Sequence, residues 1–188
     1  MSPPERRAGV FVLAGPTSVG KGTVVNRLRE LHPEIFVSVS ATTRAPRPGE
    51  VEGVHYHFVS EQTFDTLIAT EGLLEWAVVH GAARYGTPRE PVERAVAQGR
   101  TVLLEIDLQG ARQVRTSYPQ ARQIFLAPPS WDELVRRLVG RGTETPEQQH
   151  RRLATAREEL AAAEEFDEIV VNGEIDETVA RLVELLSL

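Results

Sequence analysis

The sequence predicts an α/β fold in which a parallel sheet lies between two layers of helices. Three observations point to it. VFVLAG (10–15), TVLLEID (101–107) and RQIFLAPP (122–129) are short, nearly unbroken apolar runs, as expected of strands buried on both faces. Segments of helical period, several with recognisable start and stop residues, lie between and after them. The first run ends in a glycine-rich turn that opens straight into a helix, which is the local arrangement of a phosphate-binding loop.

Composition narrows the class. The chain has 188 residues, 41% hydrophobic and 26% charged, which suits one domain with a substantial core. Its formal net charge of −6 is the wrong sign for a protein that grips long nucleic acid by its phosphates, so a small-molecule role is expected, with no nucleic acid partner. The absence of cysteine excludes disulfides and thiolate chemistry and suits a reducing cytoplasm. No apolar run approaches the roughly 18 residues of a membrane span. Residues 1–8 are polar and are expected to form a disordered tail.

The elements follow in order. Val24, Val25, Leu28 and Leu31 recur at helical spacing after Lys21, and Pro33 closes that helix. The stretch from 40 to 57 is rich in Pro, Gly and charge and does not read as core. HYHFV (55–59) and LLEWAVV (73–79) read as strands around a helix, TFDTLIATEG (63–72). EPVERAVAQG (90–99) is a helix with a glycine stop. After the strands at 101–107 and 122–129, Ser130 and Glu133 form a capping box for SWDELVRRLVG. Thr145, Pro146 and Gln148 open a helix running to about Glu165. EIVVN (168–172) is a last strand and EIDETVARLVELL a last helix. Residues 41–90 look like an insertion and 136–152 like a smaller lid, leaving 9–40, 91–135 and 153–188 as the core.

Residues 15–23, GPTSVGKGT, carry the phosphate-loop pattern with one departure: Gly22 follows Lys21, and the hydroxyl arrives at Thr23. Backbone N–H groups of such a turn and the positive end of the next helix bind anions. Gly15, Pro16, Thr17, Ser18, Val19, Gly20, Lys21, Gly22 and Thr23 would hold the phosphates of ATP, with Lys21 reaching the β- and γ-phosphates. Thr23 and an acid at the end of TVLLEID, Glu105 or Asp107, would hold Mg²⁺; Asp107 is the preferred acid.

A second set of residues suits a phosphorylated acceptor. Arg44 and Arg47 sit in a proline-stiffened loop, and arginine forks match phosphate oxygens. Tyr56 and Tyr85 can donate to the same phosphate. Glu75 is an acid inside an apolar run, where a carboxylate is costly unless paired. Guanine offers two adjacent donors, N1–H and the 2-amino group, and one carboxylate can accept both; adenine offers neither. The five histidines show no metal spacing.

GPTSVGKGT, SVSATTRAPRPGE, GVHYHF, LLEWA, YGT, EIDLQGA, APPS, RGTET and IVVN occur in the order of the motifs of guanylate kinases, and the chain resembles that family, bacterial type, over about residues 9–188. The resemblance implies a P-loop NTPase-type fold and transfer of a phosphoryl group from ATP to GMP, with Mg²⁺ as cofactor and dGMP as a further candidate acceptor. It implies that Arg44, Arg47, Tyr56 and Tyr85 hold the GMP phosphate, and that Ser40, Glu75, Thr87 and Asp107 read the base. Arg137, Arg141 and Arg152 would close on the phosphates, and Asn172 would lie near the adenine. Lys21, Arg44, Arg141 and Arg152 would be the catalytic set. GKGT in place of GK[ST] also occurs in this family, whereas Ser18 stands where it usually has glycine.

Three other readings compete. The same fold serves kinases for other small phosphate acceptors. A guanylate-kinase-like scaffold binds proteins without catalysis, but such a domain would lack a usable phosphate loop. A GTP-hydrolysing switch would need an N-K-x-D type motif, which this sequence lacks.

Overall fold

Val10 pairs in parallel with Val102, and Phe11 with Arg122, so the first strand has neighbours on both sides. These are β1 (Val10–Ala14), β7 (Val102–Glu105) and β8 (Arg122–Ala127) of the computed structural model, which describes residues 9–79, 83–139 and 146–186. With β2 (Phe36–Val37) and β9 (Glu168–Val171) they form a five-stranded sheet in the order β2-β7-β1-β8-β9, parallel throughout. Residues of β1 point alternately to the two faces. Phe11 and Leu13 join one core with α1 (Lys21–Leu31), α5 (Trp131–Val139), α6 (Pro146–Ala161) and α7 (Ile175–Leu185). Val10, Val12 and Ala14 join the other with α3 (Arg89–Ala97) and α4 (Leu108–Ser117). Burial on both faces explains why these strands read as apolar runs rather than alternations. No described helix is long and apolar enough to cross a membrane.

A second, mixed sheet comes wholly from the expected insertion: β3 (Ala41–Thr42), β4 (His57–Phe58), β5 (Leu73–Val79) and β6 (Ala83–Pro88), in the order β4-β3-β6-β5. α2 (Glu61–Ala69), capped by Ser60, packs Phe64 against Ala41 and Leu73. Part of the segment read as non-core is therefore core. Ala41 and Thr42 are fully buried, because β3 pairs on both sides. β6 and α4 also went unread: β6 carries Arg, Tyr, Gly and Pro, and α4 has only a narrow apolar stripe of Ala111 and Val114 around its buried Gly110.

β5 and β6 lose register between Leu73 and Trp76: Leu73 faces Pro88, yet Trp76 faces Gly86. The extra residue on β5 makes a bulge, which re-aims side chains. Leu73, Leu74 and Glu75 are consequently all buried, against strand alternation. Gly86 is required beneath the bulge, since a Cβ there would lie 2.9 Å from the Glu75 carbonyl oxygen. The tail at 1–8 and residues 140–145 of the expected lid lie outside the described residues.

Candidate active site

The turn from β1 into α1 lies at the carboxyl edge of the parallel sheet, where open α/β folds bind ligands. Gly15 must be glycine because a Cβ would run into the Leu126 carbonyl oxygen. Gly20 has φ 100° and caps α1 in a left-handed conformation that glycine tolerates. No side chain caps this helix and its first turn holds no acid, so its N–H groups are left for an anion. The Val19 carbonyl is held by two donors: Asn172 Nδ2 at 2.8 Å and Arg137 Nη1 at 3.0 Å. Asn172 is buried, and its own oxygen accepts from Thr178 Oγ1 at 3.3 Å. Its visible task is to brace the loop from beneath, a role that the expected adenine contact did not anticipate.

Ser18 takes the left-handed conformation, φ 64°, which costs an L-residue about 1 kcal/mol. Its hydroxyl accepts from Arg152 Nη2 at 3.2 Å. The departure from glycine therefore adds a side-chain link between the loop and α6. The next residue back, Thr17, donates its backbone N–H to Glu159 Oε2 at 2.9 Å.

Lys21 Nζ donates to the Gly15 carbonyl at 2.6 Å and, more weakly, to that of Pro16 at 3.4 Å. Burial pushes the Lys21 ammonium below its ordinary value, and Glu105, Glu159 and Asp107 pull it back up. Burial raises the Glu105 carboxyl, against the pull of Lys21. Glu105 Oε1 lies 3.7 Å from where a Cβ of Gly22 would stand, and it acts more strongly on Lys21 than Asp107 does. Asp107 caps α4, its Oδ1 accepting the Gly110 N–H at 2.7 Å. Among the described residues no three acidic or imidazole groups form a cluster that could hold a metal ion. Isolated oxygens beside a phosphate loop do fit Mg²⁺, which favours one or two protein ligands plus phosphates and water. Thr23 is exposed and lines a groove with Asn26 and Glu174.

Across the site, Arg44 Nε donates to Tyr85 Oη at 3.0 Å, and its two terminal nitrogens grip Glu50 at 2.8 and 2.9 Å. The guanidinium also lies 5.4 Å from the Tyr56 ring centre. Chiefly because of Arg44, the Glu50 carboxyl is held down to about 2. Arg47 is exposed, with its backbone N–H on Glu50 at 2.7 Å. Ser40 pins β4 by accepting the His57 N–H on its carbonyl at 2.9 Å. Burial raises the Tyr56 hydroxyl, and the charges of Tyr85 and Glu105 add to that shift.

Glu75 is 5% exposed and accepts the Thr87 hydroxyl at 2.6 Å. Burial pushes its carboxyl up to about 7, with Asp107 adding to the rise and Thr87 opposing it. Asp107 thus acts on Lys21 and on Glu75, linking the two halves electrostatically.

The sequence model of guanylate kinase matches residues 7–188. The chain belongs to the guanylate kinase family. The guanylate kinase of Cutibacterium acnes is 68% identical over 179 residues, covering 95% of this chain and 90% of that one. That of Streptomyces coelicolor is 60% identical over 183 residues, covering 97% and 92%. A crystal structure of guanylate kinase from Anaplasma phagocytophilum superposes with a TM-score of 0.78 at 34% identity, covering 99% of this chain and 88% of that one. A shikimate kinase from Bacteroides thetaiotaomicron shares the fold, with a TM-score of 0.51 at 16% identity.

Within this guanylate kinase fold, Arg137, Arg152 and Asn172 meet the loop that carries Lys21, Arg44 meets Tyr56 and Tyr85, and Glu75 meets Thr87, whereas Arg47 is exposed and Thr23 lines the groove beside Glu174. Arg141 lies outside the described residues. Three contributors were not picked out from the sequence. Glu50 follows the arginine loop, and Glu159 lies on the same face of α6 as Arg152. Gly110 sits in the EIDLQGA motif. Acids spaced at helical period from an arginine are a visible signal for Glu159, but nothing local says which way α6 faces.

Proposed function

We propose that the chain transfers the γ-phosphoryl group of ATP to GMP, giving ADP and GDP, as its family membership indicates. The observation that carries the acceptor is Glu75: a carboxylate buried on a strand bulge, bonded to the Thr87 hydroxyl. Such a group is stabilised by a base with two adjacent donors, and guanine supplies N1–H and the 2-amino group. Adenine presents no such pair, and an unmet buried polar group is heavily penalised. Ser40, Thr87 and Asp107 complete the base-reading set.

Arg44, Arg47, Tyr56 and Tyr85 orient the phosphate of GMP toward the loop. Lys21 and the N–H groups of the first turn of α1 hold the phosphates of ATP. Arg137 and Asn172 keep the loop in shape through the Val19 carbonyl. The transfer needs an acceptor oxygen in line with the γ-phosphorus, and the protein's part is positioning and charge neutralisation. Lys21, Arg44 and Arg152 spread the charge of the moving group, with Arg141 the fourth residue of this set. No general base is needed, because a phosphate monoester is largely dianionic near neutral pH. Thr23 and Glu105 or Asp107 would hold Mg²⁺, which when bound neutralises phosphate charge. A cytoplasmic setting suits a chain without cysteine.

A coupled assay of ADP release with ATP and Mg²⁺, run on GMP, dGMP, AMP, CMP and UMP, tests this. Turnover of GMP with little of AMP is expected. Preference for another nucleotide would keep the fold and sink the reading of Glu75. Binding of GMP without turnover would favour the scaffold reading.

A further inference from the structure

Gly110 lies in the first turn of α4, is buried, and follows Asp107, whose carboxylate accepts its N–H at 2.7 Å. Its backbone has no need of glycine, since it is absent from the residues with positive φ. Helix propensity favours alanine there. What excludes a side chain is space. A Cβ would lie 2.6 Å from Glu75 Oε2 and 3.1 Å from Glu75 Cδ, and 3.3 Å from Asp107 Oδ1. Those three are the closest atoms it would meet, and all belong to carboxylates of the base-reading set.

We infer that Gly110 is a specificity-determining residue: by lacking a side chain it lets the Glu75 carboxylate seat against α4 at the depth from which it accepts both donors of guanine. This rests on the reading of Glu75 as the group that recognises the base. Bidentate acceptance demands that both carboxylate oxygens lie in register with the base edge. Glu75 is the movable partner, because its backbone is fixed by the bulge over Gly86 while its carboxylate ends a flexible stem. A methyl group at 110 would push the carboxylate off Thr87 and out of that register, and leave the helix intact.

The test uses the full chain and four variants. Gly110→Ala is expected to raise KM for GMP about 10- to 100-fold, the scale of an ångström misplacement, while KM for ATP stays within about twofold. The preference for GMP over AMP falls with it. Glu75→Asp, which shortens the stem, is expected to make room for the added methyl. Glu75→Asp with Gly110→Ala should therefore be less impaired than the product of the two single effects, a coupling that a loss of general stability would not produce. Gly110→Ala with KM for GMP within twofold of the parent, or with both KM values rising together, overturns the inference. Glu75→Gln separates this from the reading beneath it. If Glu75→Gln leaves KM for GMP unchanged, the base-recognition reading falls and this inference with it. If Glu75→Gln is impaired and Gly110→Ala is not, only the role of Gly110 falls.

Discussion

Glu159 Oε2 accepts the Thr17 backbone N–H at 2.9 Å, tying α6 to the phosphate loop across 142 positions of sequence. Arg152, about two turns earlier on the same helix, reaches Ser18. The loop is thus gripped from outside by α6 and braced from beneath by Asn172.

The Glu159 contact joins two opposed effects. The bond orders the loop, and the charge repels a phosphate. Glu159→Gln keeps an acceptor for Thr17 and removes the charge, so KM for ATP is expected to fall about two- to fivefold at low salt and less at high salt. Glu159→Ala removes both, so KM for ATP rises and stability drops by about 1 kcal/mol. Steady-state kinetics in ATP at two salt concentrations, with urea unfolding of each variant, reads both. Identical behaviour of the two variants would show that the bond to Thr17 does nothing.

If Glu75 reads the base as proposed, it links stability and substrate affinity to pH with opposite signs. Its carboxyl is pushed from an ordinary 4.5 up to about 7, mainly by burial. The folded protein therefore holds a proton that the unfolded chain has released over this range. The stabilisation is full below the lower value and is lost as pH rises through the upper one, a span worth roughly 3 kcal/mol. Accepting two donors from guanine requires the ionised form, so GMP binding strengthens over the same rise. Calorimetry of GMP binding between about pH 6 and 8 checks this against Glu75→Gln, which retains the titration of the GMP phosphate but loses that of the side chain. Equal pH dependence in the two proteins would refute it.

At Ser18, strain and bonding oppose one another. Ser18→Gly relieves a left-handed residue worth about 1 kcal/mol but loses the Arg152 bond and adds freedom to the unfolded chain, so its net change is small. Ser18→Ala keeps the strain and loses the bond. It is expected to be the least stable of the three, about 1 kcal/mol below the parent by urea unfolding. An alanine variant as stable as the parent would mean that the Ser18–Arg152 bond contributes nothing.

Lys21 is held by the Gly15 carbonyl at the mouth of the loop. Lys21→Met should lower kcat about 10²- to 10³-fold, the usual effect of removing one charge-stabilising donor, and leave GMP affinity within about twofold. Equilibrium binding of GMP beside turnover separates the two. A matching loss of GMP affinity would place Lys21 on the acceptor side instead.

Much of this was legible locally. The strand, glycine turn and helix at 10–31 follow from residues in contact along the chain, and the core strands announce themselves by burial on both faces. β6 and α4 were not legible, because a strand containing Arg, Gly and Pro and a helix with a narrow apolar stripe carry weak periodic signals. Glu75 could be picked out as an acid in an apolar run. Its burial depends on a bulge that appears only when β5 is paired with β6.

By itself the sequence determined the chemistry available: a phosphate loop with its lysine, an arginine loop, an acid in an apolar run, and motifs in the order of one family. These are local patterns, written by backbone sterics and side-chain period. Only the tertiary structure decided the partners: Glu159 on Thr17, Arg152 on Ser18, Glu50 in the fork of Arg44, and Glu75 against Gly110. Except for Glu50, each joins segments far apart in sequence. Such contacts are set by how helices pack on the sheets, and packing leaves no trace in any short window of sequence.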